Sequence, residues 1–570
     1  MIFKTTARFI LALILLATTI SSGAQLKPQQ TRNLETLAQV WGLLKYSHPI
    51  VSTGKIDWDS VLLVSTQRLL LSNTKTNLQQ EIQKVLMAAG PTTSLPTQKN
   101  TPSSFSALAK GMRLRNLDQS WIARNSLLTE AQKKQLQALA ENPYKGINYY
   151  AQPNPGNDST VYTPNEKPYL QEKMPEAPYR LLALFRFWNL INYYYPYKYA
   201  IGKPWKNTLH SLIPEMVVAN DTLSYHKALA RMAASINDSH GGLWPQVFST
   251  FSGKHSPSFD FRIIQNKVVV TKPAGHSDLQ RGSVIEKIDG VAIREKIRSY
   301  MDYIPASNAG GKLKNMHYML LNSHNRFVTI SGHHANGTRF ELKIDLIERD
   351  LLKNYTNFFE TESKVTSKML DDSIGYVFFS NVNARNLESV MIPMMKTKGI
   401  IFDMRNYPTN GSGTYQIPRY LLTQPKIYSM ITRPDFSYLG AFIYETANKG
   451  TSYTTVGNNQ ATAYRGKIIL LVDERTQSAA EWACMTLQTA ENITVIGSQT
   501  AGADGNVTRT VLPGGYRINF SGLGIYYPDG NETQRIGIKV NIASSYKISD
   551  IATGHDPLVA KALKYLRKKK

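Results

Sequence analysis

The chain has 570 residues, 42% of them hydrophobic, a formal net charge of +25 and one cysteine, Cys484. That length can bury several cores and implies more than one domain, and one cysteine excludes a disulfide-built scaffold. The positive charge is spread along the chain without a zinc-finger, helix-turn-helix or RNA-recognition pattern, so nucleic acid is not an expected partner. No Cys/His cluster, His-Glu-x-x-His or phosphate-loop motif occurs, so no metal or nucleotide cofactor is expected.

Residues 1–24 read as an export signal. Lys4 and Arg8 precede the apolar run Phe9–Ile20, and Ser22-Gly23-Ala24 supplies small residues for cleavage. The run is too short to span a bilayer and no later apolar run reaches 18 residues, so the expected product is exported, periplasmic or extracellular, and not membrane-spanning. Two helical units follow, residues 25–155 and 156–257. They carry an internal repeat: Trp41, Leu44, Tyr46, Pro49 and Trp58 recur with identical spacing as Trp188, Ile191, Tyr193, Pro196 and Trp205. The repeat reads as aromatic core packing or as a ligand-binding aromatic surface. Between the copies, Asn142–Pro178 is rich in Pro, Asn and Tyr and reads as a long ordered loop or linker. The second unit closes on a helix-like stretch, Tyr225–Ile236, and then Asn237-Asp238-Ser239-His240-Gly241-Gly242. A histidine there is either one favoured by the helix dipole or an acid–base group.

Residues 258–347 change to short alternating segments: Asp260–Ile264, Lys267–Thr271, Ser283–Ile288, Arg326–Ile330 and Thr338–Ile344. From residue 348 to 570, apolar strands (Ile374–Phe379, Gly399–Met404, Lys467–Val472) alternate with helical patterns (Leu387–Lys396, Ala479–Ala490), which reads as an α/β core. The strand from Gly399 runs into Asp403-Met404-Arg405-Asn406-Tyr407-Pro408 and a turn. The richest stretch is 473–506. Ser478 stands where a buried strand gives way to a helix, with its hydroxyl at the positive end of the helix dipole. The same Ser478-x-x-Glu481 pattern is an ordinary capping box. A strand, Thr494–Gly497, and a glycine-rich turn, Thr500–Gly505, follow. Cys484 reads as a small buried hydrophobe, and the basic C-terminus (Lys564, Arg567–Lys570) as a helix end in solvent.

Taken together, these segments resemble the C-terminal processing and tricorn-like serine peptidases, the tail-specific protease superfamily, over roughly residues 225–560. The resemblance implies Ser478 as nucleophile. Ala503 stands where the Ser–Lys branch carries its lysine, so a base must come from elsewhere. The tricorn-like branch supplies a histidine preceded by serine, which here is His240 after Ser239. That branch also places a glutamate shortly before a Gly-Ile pair. Counting from Gly537-Ile538 puts Gln534 in that position, and Glu532 lies two residues earlier on the same face of an extended segment. The oxyanion hole implied is the backbone N–H of Ala479 with that of Thr409 or Asn410. The turn Gln280–Gly290 resembles a PDZ pattern, and PDZ modules take peptide C-termini by strand addition.

The expectation is a multidomain α+β protein with a helical N-terminal region, a PDZ-like β-rich module and, by the resemblance, an α/β catalytic core of the ClpP/crotonase-like type. Its expected function is that of an exported endopeptidase or tail-specific protease. It would act on peptide or protein substrates by a Ser-His acyl-enzyme mechanism without a cofactor. The competing readings are a catalytically inactive peptide-binding scaffold of the same fold and an envelope or glycan-binding protein built on the Trp/Tyr repeat.

Overall fold

The computed structural model describes residues 26–91, 113–115, 118–156, 159–243, 245–275, 278–349, 365–408, 413, 415–445 and 454–568. The expected export signal lies outside the described residues. No helix among the described residues is long and apolar enough to cross a membrane.

The N-terminal region is helical: α1 (Pro28–Ser47), α2 (Trp58–Leu70), α3 (Lys75–Ala89), α4 (Glu130–Glu141), α5 (Ala177–Tyr194), α6 (Trp205–Val218) and α7 (Thr222–Ala234). The starts follow local chemistry. Proline opens α1 and α5, and the side chains of Asp57, Thr74, Thr129 and Asp221 each accept a backbone N–H at the head of α2, α3, α4 and α7. The sequence repeat is a repeated packing device. Trp41 Nε1 donates to Trp58 O (2.9 Å) and Trp58 Nε1 to Trp41 O (3.0 Å), fastening α1 to α2. Trp188 and Trp205 exchange the same pair of bonds at 3.1 and 3.0 Å, fastening α5 to α6. Tyr46 and Tyr193, also repeat positions, meet edge to face at 5.4 Å. All six rings are buried, so the aromatic surface serves a core. Beside it, Lys45 pairs with Glu166 (2.6 Å) and Arg186 with Glu166 (2.9 Å) and Asp59, a buried ionic cluster that anchors the 142–178 connection to both copies.

A β-rich unit follows: β1 (Asp260–Ile264), β2 (Lys267–Lys272), β3 (Val284–Ile288), α8 (Ile293–Tyr300), α9 (Ala309–Met316), β4 (Phe327–His333) and β5 (Arg339–Asp345). Its strands form an antiparallel sheet in the order β5-β4-β3-β2-β1. Val268, Val270, Ile285, Ile297, Met316 and Val328 fill its core.

The last unit is built on β6 (Ser367–Asp371), β7 (Ile374–Phe378), β8 (Gly399–Asp403), β9 (Lys467–Val472), α10 (Ala479–Leu487), β10 (Ile493–Gly497), β11 (Val507–Leu512), β12 (Tyr516–Ser521), β13 (Ile542–Ala543) and α11 (Pro557–Arg567). The sheet order is β6-β7-β8-β9-β10-β13, parallel except for β6. Its inner strands, β7 to β10, are buried on both faces, which explains their unbroken apolar runs. One face packs with α10, and the other receives Leu558 and Ala562 of α11 against Ile401 and Ile469. The C-terminal helix is therefore docked along its body, and Lys561, Lys564, Arg567 and Lys568 are exposed.

The β11–β12 hairpin leaves this sheet and binds two short strands of the helical region. Val161–Tyr162 pairs with β11, and Gly242–Leu243 pairs antiparallel with β12. The 142–178 connection is thereby part of a sheet.

Candidate active site

Ser478 stands at the carboxyl end of parallel strand β9, on a tight turn into α10. Its backbone is at φ +55°, ψ −120°, a left-handed conformation that costs a non-glycine residue of order 1–3 kcal/mol. The turn is held from several sides. Asp473 N donates to Thr476 Oγ1 (3.2 Å), Thr476 Oγ1 to Met404 O (3.0 Å), and Ser478 N to Ala503 O (3.0 Å). Neighbouring strand β8 ends in a buried network that explains Asp-Met-Arg. Arg405 grips Asp403 with Nε and Nη2, both at 2.8 Å, and gives Nη1 to Asp556 (2.8 Å) at the head of α11.

Glu481 explains the Ser-x-x-Glu spacing. Fully buried one helical turn after Ser478, its carboxylate accepts Ser478 N (3.2 Å), Thr500 Oγ1 (2.5 Å), Gly502 N (2.8 Å) and Ala503 N (3.1 Å). It ties the glycine-rich turn to the head of α10. Burial pushes its carboxyl up to about 7 against the pull of those donors. Gly502 sits at φ +65°, where an added Cβ would meet the Arg535 backbone at 2.8 Å. Asp504, beside Ala503, is 1% exposed, with Oδ2 unpartnered and burial holding its carboxyl well above the usual range.

His240 arrives from a segment far upstream of Ser478. Gly242 and Leu243 pair with Asn519 and Ile518. Two residues further along that register, His240 faces Ser521, and its Nδ1 lies 2.9 Å from Ser521 Oγ. Ser521 Oγ donates to Asp238 Oδ1 (3.0 Å) and Ser521 N to Asp238 Oδ2 (2.6 Å), while His240 N donates to Asp238 Oδ1 (2.9 Å). His240 Nε2 is buried and has no hydrogen-bond partner. Burial lowers the imidazole below its usual value; Asp238 opposes this, and Lys314 and Arg509 reinforce it.

The His240 loop abuts the serine turn. Gln477 Nε2 donates to Ser239 O (3.3 Å), and Ser239 Oγ donates to Ala501 O (2.8 Å). Ser239 and Ser307 exchange two further bonds of 2.8 Å, each backbone N–H reaching the other's hydroxyl. Ser239 therefore fastens three loops, and its hydroxyl does not contact the imidazole. No hydrogen bond joins His240 to Ser478.

Of the two carboxyl-terminal candidates, Gln534 reaches the network. It is buried, and Nε2 lies 3.3 Å from Asp238 Oδ1. Glu532 turns away and accepts Tyr199 OH (2.6 Å). Both line one open groove of about 520 Å³ that also involves Ser307, Asn308 and Arg535. Ala479 is the first residue of α10, so its N–H belongs to the free head of the helix next to Ser478. Thr409 and Asn410 lie outside the described residues.

The β-rich unit closes the site with side chains the sequence does not single out. Lys314 on α9 is 5% exposed and donates to Gln477 Oε1, one residue before Ser478. Burial draws its ammonium down to about 8 despite Glu481, Glu474 and Asp473. Asn308 Nδ2 donates to Thr500 O (2.8 Å), and Arg262 Nη2 reaches Asp473 (3.2 Å) and Glu474 (2.5 Å). Ser307, Asn308 and Lys314 thus touch the histidine loop, the glycine-rich turn and the serine turn in one short segment. Asp238, Ser307, Lys314 and Ser521 were not read as site residues from the sequence. One signal was present for Asp238: an acidic residue just beyond a helix C-terminus works against the dipole.

The arrangement offers a strained serine at a helix head, an imidazole with one bare nitrogen on the adjoining loop, and a buried carboxylate behind it. Residues 373–544 match the model of Peptidase family S41. No curated protein matches the chain. Among solved structures, mature CPAF complexed with lactacystin is similar at 13% identity and a TM-score of 0.51, covering 68% of this chain and 97% of that one. Mature CPAF alone gives 13% and 0.52 over 68% and 96%. The photosystem II D1 C-terminal processing protease gives 15% and 0.38 over 66% and 98%. At such identities the likeness to CPAF is one of fold.

Proposed function

We propose that this chain, a serine-type peptidase of family S41 by its residues 373–544, cleaves peptide bonds through an acyl-enzyme formed on Ser478. His240 Nε2 takes the Ser478 hydroxyl proton as Oγ bonds the scissile carbonyl carbon, then gives it to the leaving amine as the C–N bond breaks. Water repeats the sequence and frees the acid product. The Ala479 N–H, with a second donor at Thr409 or Asn410, holds the oxyanion. The observation that carries this reading is the strained Ser478 backbone, kept at φ +55° within one loop contact of an imidazole whose Nε2 has no other partner. A missing Ser478–His240 bond is compatible with it, because catalytic hydrogen bonds often tighten only once substrate is bound.

We further read the chain as an exported enzyme, with an export signal at 1–24, helical units at 25–155 and 156–257, a PDZ-like module at 258–347 and a ClpP/crotonase-like catalytic domain at 348–570. In that arrangement the module would present peptide C-termini to the site. Contacts from Ser307, Asn308 and Lys314 to the histidine loop, the glycine-rich turn and the serine turn support a module that acts on the site. The inactive scaffold is the competing reading, favoured by the unbonded Ser478–His240 pair and by Ala503 and Gln534 in the positions of charged family residues. A peptide mixture digested by wild type and by Ser478→Ala, read by mass spectrometry, separates the two. The peptidase gives fragments with wild type only. A scaffold gives peptide binding and no fragments with either protein.

A further inference from the structure

The third member of the catalytic group presents a conflict. The family resemblance implies a glutamate where this chain has Gln534, and an amide carries no charge to stabilise an imidazolium. Yet a carboxylate is present in the same network. Asp238 is 0% exposed. Its oxygens receive four donors: His240 N, Ser521 N, Ser521 Oγ and Gln534 Nε2. All four are uncharged, and among the described residues no lysine or arginine forms an ion pair with it. A buried carboxylate held by neutral donors alone is costly, and the one group in its network able to gain a positive charge is His240.

The proton count fixes the direction of the relay. Ser521 has one hydroxyl proton, and Asp238 Oδ1, an acceptor, takes it at 3.0 Å. The 2.9 Å contact between Ser521 Oγ and His240 Nδ1 then requires Nδ1–H as donor. The imidazole is thereby held in the tautomer whose Nε2 bears the lone pair, and Nε2 is the nitrogen left without a partner.

We propose that Asp238, acting through the Ser521 hydroxyl, is the acid of this site and takes the role that the resemblance implies for a glutamate at the Gln534 position. Asp238 and Ser521 are positioning residues. They fix the tautomer of His240 and stabilise its charge once Nε2 has accepted the Ser478 proton, and Asp238 itself is not protonated in the step. The charged groups bearing on the imidazole are then Asp238 from its own loop, Lys314 from α9 and Arg509 from β11. Gln534 serves as a neutral donor that keeps the Asp238 carboxylate in place. The acid has moved from the turn at Gln534 to the loop that carries the histidine. This inference rests on the Ser478–His240 reading.

The test is a charge relocation, with kcat, KM and pH profiles measured on a peptide that wild type cleaves. Asp238→Asn is expected to lower kcat by about 10²–10⁴-fold, with little change in KM, and to move the acid limb of kcat/KM to lower pH. Ser521→Ala, which leaves the carboxylate in place, should lower kcat by about 10–100-fold. Gln534→Glu alone sets a second carboxylate 3.3 Å from the first and should lower activity. In the Asp238→Asn background the same Gln534→Glu change should recover at least about tenfold of the lost kcat, which a purely structural role for Asp238 does not predict. Asp238→Asn and Ser521→Ala at wild-type rates, with Ser478→Ala and His240→Ala inactive, would overturn this inference and leave the peptidase reading standing. Unchanged cleavage by Ser478→Ala would instead remove the reading on which it rests. If Asp238→Asn does not fold, Ser521→Ala decides: a wild-type rate and pH profile refutes the relay.

Discussion

The two halves of the site are built in opposite ways. Ser478 is positioned by residues close to it in sequence: strand β9 before it, α10 after it, Glu481 one turn on, and the 500–503 turn that Glu481 holds. His240 is positioned by segments from across the chain. Its loop is paired to β12 by Gly242, its ring is met by Ser521, its acid is contacted by Gln534, and Ser239 is locked to Ser307 of the β-rich unit. A serine on a strained local turn keeps its geometry as long as one sheet is folded. An imidazole assembled from four segments is correct only when the helical region, the β-rich unit and the sheet are all docked. In the proposed mechanism the serine half carries the chemistry, and the histidine half carries the means of making it conditional.

The largest predicted effect falls on the serine half. Ser478→Ala should lower kcat by about 10⁴–10⁶-fold with no loss of folded structure by circular dichroism. It should also relieve little of the local strain, since alanine is no more at ease at φ +55°. A smaller but still severe effect is expected from Gly502→Ala. Forcing a Cβ toward the Arg535 backbone displaces the turn that receives Ser478 N and Ser239 Oγ, so kcat should fall by about 10–100-fold and stability by about 1–3 kcal/mol. If this variant kept the wild-type rate, the claim that Glu481 and the turn hold the serine would fail.

The histidine half is sharpened by pH. A base must be unprotonated to act, and burial lowers the His240 pKa, so the acid limb of kcat/KM should lie below the usual imidazole value of about 6.5. Lys314→Met removes a cation that depresses that pKa. The limb should then move to higher pH, opposite in sign to the shift expected from Asp238→Asn. The same substitution breaks the contact to Gln477 and should cost about threefold to tenfold in kcat at pH 8, within the range of general acid–base contributions. A limb that moves the same way in both variants would contradict the assignment of their charges around His240.

What the sequence made legible follows the same division. The strands Ile374–Phe378, Gly399–Asp403 and Lys467–Val472 and the start of α10 at Ala479 lie where apolar runs and turn residues put them, because each is decided locally. The strands of the β-rich unit fall within a few residues of the expected ranges for the same reason. The Trp repeat was visible as spacing, but the reciprocal ring-to-carbonyl bonds that give the spacing its meaning were not. Ser521 carried no signal at all. It becomes meaningful only through a two-residue strand pairing between segments far apart in sequence. Lys314 was one lysine among many until the docking of α9 buried it beside Gln477. Counting along the chain locates the Gln534 position but not its partner Asp238, because a short Asp–His separation along the chain says nothing about which atom faces the ring.

The central claim, that Ser478 is a nucleophile activated by His240, is tested most directly by a fluorophosphonate probe followed by mass spectrometry of the labelled peptide. The account predicts one adduct, on Ser478, formed rapidly by wild type, at least about 10²-fold more slowly by His240→Ala and not at all by Ser478→Ala. An adduct on another residue, or equal labelling of the wild-type and His240→Ala proteins, would contradict it.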